Sequence, residues 1–92
     1  MTIQWTPTAL RDLKSLHSYI GDDNSKAASA MVGAMLTVIE SLARHPEMGR
    51  QGRVSGTREL VVAPYVVVYR VWRTAIEIVA IIHGARRWPD SF

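Results

Sequence analysis

The apolar residues of this chain change their repeat at about residue 45. That change constrains the fold more than any other feature. In the first half Ala9, Leu13, Leu16 and Ile20 recur at spacings of four, three and four, the stripe of an amphipathic helix. Ala28, Met31, Met35, Val38, Ile39 and Leu42 repeat the pattern. In the second half the spacing becomes two. Tyr65, Val67, Tyr69 and Val71 form one alternating set, and Ile76, Ile78, Ala80 and Ile82 another, as expected for strands.

The punctuation agrees with these periods. Ile3 and Trp5 alternate with polar neighbours and predict a short first strand. Thr6-Pro7 predicts a helix start, with Thr6 accepting from the orphan amides and Pro7 in the first turn. The first helix is predicted over 7–20. Gly21-Asp22-Asp23-Asn24 reads as a stop and a fresh cap. The second helix is predicted over 25–44, ending at His45-Pro46. Gly33, among the small residues Ala27, Ala30 and Ala34, is a candidate point of close helix approach. Residues 46–57 read as a Gly-rich basic loop. Strands are expected over 58–63, 65–72 and 76–83, with 84–92 as a tail. The predicted fold is a single α+β domain over 1–92, in the order β-α-α-β-β-β. A helical hairpin covers an antiparallel sheet.

Charge divides the chain at the same place. Residues 1–43 hold three basic and four acidic side chains, and residues 44–92 hold eight and four. A positive field on one half favours nucleic acid or an acidic protein. The chain has no cysteine, so it has no disulfide or thiolate chemistry. With no basic-then-apolar leader and no run able to span a bilayer, a cytoplasmic location is expected, with no membrane partner. The histidines His17, His45 and His83 lie far apart without clustered carboxylates. No metal site or cofactor is expected.

Three segments carry a resemblance: Gly52-Arg53-Val54-Ser55-Gly56-Thr57-Arg58-Glu59-Leu60-Val61, Tyr65-Val66-Val67-Val68-Tyr69-Arg70-Val71, and Ile81-Ile82-His83-Gly84-Ala85-Arg86-Arg87-Trp88-Pro89. With the opening Trp5-Thr6-Pro7-Thr8-Ala9 and Asp12, their order resembles the RelE/ParE superfamily of bacterial toxins over nearly the whole length. The resemblance implies the toxin of a type II toxin–antitoxin module, a growth inhibitor associated with plasmid stabilization. A cognate, usually acidic antitoxin would neutralise it in a hetero-oligomer. One branch inhibits DNA gyrase without hydrolysis. The other cleaves mRNA on the ribosome.

Cleavage through the 2′-hydroxyl needs a base, an acid and positive charge at the phosphate. His83 and Arg86 are the candidate catalytic residues if the chain is a nuclease. Ribonuclease-like members usually carry an arginine before the Leu-Val-Tyr run of the central strand, where this chain has Val66. Arg70 shares that face but stands four residues on, about 13 Å along a strand. Where one such relative has a tyrosine, this chain has Phe92. His83 after Val79-Ala80-Ile81-Ile82 is similar to the gyrase-directed branch. That branch is favoured, with the mRNA endoribonuclease as the alternative. Arg50, Arg53, Arg58, Arg86, Arg87 and Trp88 are the candidate target- or nucleic-acid-binding residues. Trp5, Tyr65 and Tyr69 read as core.

Overall fold

The computed structural model describes residues 1–92. The elements are β1 (Thr2–Trp5), α1 (Pro7–Gly21), α2 (Ser25–Ser41), β2 (Arg50–Gln51), β3 (Arg58–Val62), β4 (Tyr65–Val71) and β5 (Ala75–His83). Both helix starts follow from local chemistry. The Thr6 hydroxyl accepts from Ala9 N at 3.1 Å, and the Asn24 side chain accepts from Ala27 N at 3.0 Å. Each satisfies an amide the helix itself cannot pair. Helix α2 ends at Ser41 and continues as turns, short of the expected residue 44. No helix is long and apolar enough to cross a membrane.

The five strands lie in the order β1-β5-β4-β3-β2. β2, β3, β4 and β5 pair antiparallel, as expected for short connections. The sheet is nevertheless mixed, because β1 joins the edge parallel to β5, with Thr2 opposite Ala75 and Trp5 opposite Ile78. Both helices and three strands separate β1 from β5 in the chain, so no hairpin turn forces the two to run antiparallel. β2 was expected to be loop; it is a two-residue strand pairing Arg50 with Glu59 and Gln51 with Arg58.

The main core lies between the hairpin and one face of the sheet. Leu16, Met35, Ile39 and Leu42 meet Leu60, Tyr65, Val67, Tyr69, Ile76, Ile78 and Ile81 there. Truncating one of the larger aliphatic side chains to alanine costs about 2–5 kcal/mol in such a setting. Gly33 does not serve as a contact point, since a Cβ placed there meets nothing within 4 Å.

The alternation expected for β5 breaks midway. The register slips between Val68 and Tyr69, which face Ala80 and Ile78, so Val79 is an extra residue in β5. Such a bulge exchanges the faces of everything beyond it. Ile76 and Ile78 belong to the main core, but Ile81 rejoins it in place of Ala80 and Ile82. Val79, Ala80 and Ile82 instead join Val68 on the opposite face, against Trp88.

The amino end of α1 clips this bulge. Thr6 Oγ1 lies 3.0 Å from both the Ile78 and the Val79 carbonyl oxygens and donates to them. Beyond Ile78, strand β5 has no β1 partner. There Asp12 Oδ2 accepts from Ile81 N at 2.9 Å, replacing the missing strand neighbour.

Candidate functional site

The strand registers divide the basic residues between two faces. Arg50 and Glu59 stand with Val68 on the face away from the helices, whereas Arg58 stands with Tyr69 on the helix side.

On the outer face the centre is Glu59, 2 % exposed. Its Oε1 accepts from Arg50 Nε at 3.3 Å and Arg50 Nη2 at 3.0 Å. Its Oε2 accepts from Arg53 N at 2.7 Å and Arg53 Nε at 3.1 Å. Arg53 Nη2 adds a bond to Oε1 at 3.2 Å. Burial alone would raise the Glu59 pKa, but the Arg53 amide and the two guanidinium groups outweigh it and hold the carboxyl below its usual range. The loop that returns Arg53 to this carboxylate is tight. Gly52 N donates to Thr57 O at 2.8 Å, and a Cβ on Gly52 would run into Thr57. Gly56 has φ +79°, open to glycine and strained for other residues.

The Arg53 guanidinium continues outward. Its Cζ lies 3.6 Å from the Trp88 ring centroid, a cation–π contact. Trp88 in turn covers Val68, Val79, Ala80 and Ile82. Its indole Nε1 is buried without a hydrogen-bond partner. Arg50 and Arg53 were expected to address an external anion; instead they neutralise an internal one. Two half-exposed guanidinium groups share one carboxylate, leaving one net positive charge at the surface.

Arg58 is elsewhere. Its Nη1 donates to Gly49 O at 2.7 Å. Beside it the Tyr69 hydroxyl donates to Pro46 O at 2.8 Å and accepts from Gly49 N at 2.9 Å. Burial pushes the Tyr69 phenol above its ordinary range, partly opposed by the Gly49 amide and the Arg58 charge. Together Tyr69 and Arg58 tie the 46–49 segment to the sheet. Tyr69 is fully buried and Tyr65 is 8 % exposed, as the alternation with valine predicts.

His83 and Arg86 do come together, at the far end of the sheet. They line a groove of about 800 Å3 between α1 and the ends of β4 and β5. Leu16, Ile20, Met31 and Ile81 give it an apolar lining, and Arg11, Asp12, Tyr19 and Tyr65 share it. His83 packs edge-on to Tyr65, with ring centroids 5.5 Å apart. Its Nδ1 accepts from Ala85 N at 3.1 Å, which leaves Nε2 as the protonated nitrogen of the neutral ring. The one carboxylate in the groove, Asp12, is engaged by the Ile81 amide. Arg87 is exposed on the tail beside Trp88.

The six candidate binding residues thus occupy four places, with Arg87 alone on the exposed tail. Arg50, Arg53 and Trp88 form one cluster, Arg58 belongs to the helix side, and Arg86 faces the groove. The sequence reading missed Glu59 as the hub and Arg11 and Asp12 as groove residues. The Arg-x-x-Arg-x5-Glu spacing was a signal for the hub, but only the β2–β3 register turns that spacing into contact.

Comparison with known proteins matches this architecture to one family. The family described as the ParE toxin of the type II toxin–antitoxin system parDE matches residues 3–88. Y4kP of Sinorhizobium fredii, described as a candidate toxin, is 42 % identical over 90 residues, covering 96 % of this chain and 93 % of that protein. Toxin RelE2 of Caulobacter vibrioides is 39 % identical over 84 residues, covering 91 % and 96 %. Among solved structures, a chain of the chromosomal ParDE toxin–antitoxin system from P. aeruginosa superposes with a TM-score of 0.79 at 25 % identity, covering 90 % of this chain and 95 % of that one. A chain of the RelBE2 toxin–antitoxin complex from Mycobacterium tuberculosis gives a TM-score of 0.66 at 26 % identity, covering 89 % and 95 %. The α+β scaffold, the matched length and these relatives lead to one assignment: the chain belongs to the ParE toxin family, within the RelE/ParE superfamily, and is the toxin of a type II toxin–antitoxin module.

Proposed function

We propose that this toxin, acting as one domain in the cytoplasm, arrests growth by binding DNA gyrase without hydrolytic chemistry. Its cognate antitoxin neutralises it. The observation that carries the reading is the state of the outer sheet face. At the position where ribonuclease-like members usually hold an arginine stands Val66, 5 % exposed. Beside it Val68, Val79, Ala80 and Ile82 form an apolar layer under Trp88. On the same face Arg50 and Arg53 are committed to Glu59. Arg70, the unpaired cation on that face, stands about 13 Å along the strand from Val66, and losing a charge at the phosphate costs about 10²–10³ in rate. A basic, protein-binding toxin fits this surface better than a nuclease.

The antitoxin fits the groove beside α1. Its apolar lining and its Arg11, His83 and Arg86 complement a segment that presents apolar anchors and carboxylates and folds as it binds.

One observation favours the alternative, an mRNA endoribonuclease: His83 and Arg86 share that same groove. Purified gyrase and relaxed plasmid separate the two. The expected result is loss of supercoiling on adding the toxin, unchanged in His83→Ala. The opposite result is new mRNA 5′ ends on translating ribosomes, abolished by His83→Ala or Arg86→Ala, with supercoiling intact.

A further inference from the structure

The end of the sheet opposite the groove carries an exposed tryptophan, Trp72, outside the candidate site. Trp72 closes the β4–β5 hairpin, its N–H donating to Ala75 O at 2.8 Å. It is 55 % exposed, and its neighbour Val71 is 39 % exposed. The indole is held in place: its Nε1 donates to Glu77 Oε1 at 3.2 Å. Glu77 stands opposite Arg70 in the sheet register, yet makes no ion pair with it. Both ion pairs of the protein belong to Glu59. Arg70 and Arg73, on either side of Trp72 in the chain, therefore have no carboxylate partner. Next to them a recess is lined by Val71, Arg58 and the 51–57 loop.

We propose that this hairpin tip is a protein-docking surface, with Trp72 as its anchor and an acidic face of the toxin's target as its partner. It rests on the reading that the target is a protein. A pre-oriented aromatic loses little rotamer freedom on binding. Tryptophan and arginine around a small apolar centre are the residues that dominate protein interfaces. The uncompensated arginines select carboxylates and steer association. The tip lies roughly 20 Å along β4 from the groove, at about 3.3 Å per strand residue. Target and antitoxin can therefore address different ends of one sheet.

The experiment compares wild type, Trp72→Ala and Arg73→Glu, each shown to be folded by circular dichroism and a cooperative melt. Two readouts are used: growth after induction in a host lacking antitoxin, and supercoiling by purified gyrase. The expected result is a rise of about tenfold or more in the inhibitory concentration for both variants. Wild-type potency in both folded variants overturns the proposal. If wild type arrests growth but leaves gyrase untouched, the gyrase reading fails, and the growth readout still judges the tip. If the variants instead lose binding to single-stranded RNA or DNA while a protein target is still inhibited, the acidic-protein partner is wrong.

Discussion

Arg53 sits between Glu59 and Trp88, donating three hydrogen bonds to the carboxylate while its Cζ lies 3.6 Å from the indole centroid. A single side chain thereby joins the β2–β3 loop to the tail. The buried carboxylate orients the guanidinium, and the guanidinium supports the ring that covers the outer apolar layer.

Acid should loosen this joint. The Glu59 pKa is lowered in the folded protein, so above the ordinary carboxylate pKa of about 4.3 its ionised form contributes stability. As pH falls through the folded value, the unfolded chain has already taken up its proton and that contribution is lost. Urea unfolding between pH 3 and pH 6 should show a steeper loss for wild type than for Glu59→Gln. At pH 7 the variant should be less stable by about 1–3 kcal/mol, because the Arg53 amide loses a charged acceptor.

The tail should depend on Trp88. It is the residue that packs the chain end against Val68, Val79, Ala80 and Ile82. Trp88→Ala should speed tryptic cleavage after Arg86 and Arg87, followed by mass spectrometry. Arg53→Ala should give a smaller increase, since the apolar contact of the ring remains. Equal cleavage rates in all three proteins would show that the tail is not held by this contact.

Tyr69 and Gly49 should behave as a coupled pair. A Cβ on Gly49 would lie 2.6 Å from the Tyr69 hydroxyl and 2.8 Å from Glu59 O, so Gly49→Ala forces a shift. Tyr69→Phe deletes the hydroxyl that joins Pro46 O and Gly49 N and should cost about 1–3 kcal/mol. Thermal melts of the double variant should show less than the sum of the single effects. Simple additivity would mean the two sites do not interact.

Asp12 should protect the stretch of β5 that has no β1 partner. Asp12→Ala leaves the Ile81 amide without its acceptor, at a cost of about 1–3 kcal/mol. Amide exchange followed by NMR should speed up at Ile81 more than at Ile76, which lies in the stretch of β5 paired with β1. A uniform change would point to global destabilisation alone.

Much of this protein was legible in its residue order. Thr6, Pro7 and Asn24 mark helix starts because a cap bonds amides two or three residues away. The stripes of α1 and α2 and the alternation of Tyr65, Val67 and Tyr69 assign core faces, because burial imposes the period of the element. The segments around Arg53–Val61 and Ile81–Pro89 lead to the right superfamily. All of these signals depend on neighbours in the chain.

What tertiary structure alone decided depends on residues that meet only after folding. The Val79 bulge moves Ala80 and Ile82 to the outer face, and no local propensity marks it. β1 becomes a parallel edge strand through a partner more than seventy residues later. Arg50 and Arg53 look like free cations in the sequence because nothing there shows that Glu59 is buried between them. A charge pattern gives the sign of the local field. Burial and strand register determine which charges remain available to a partner.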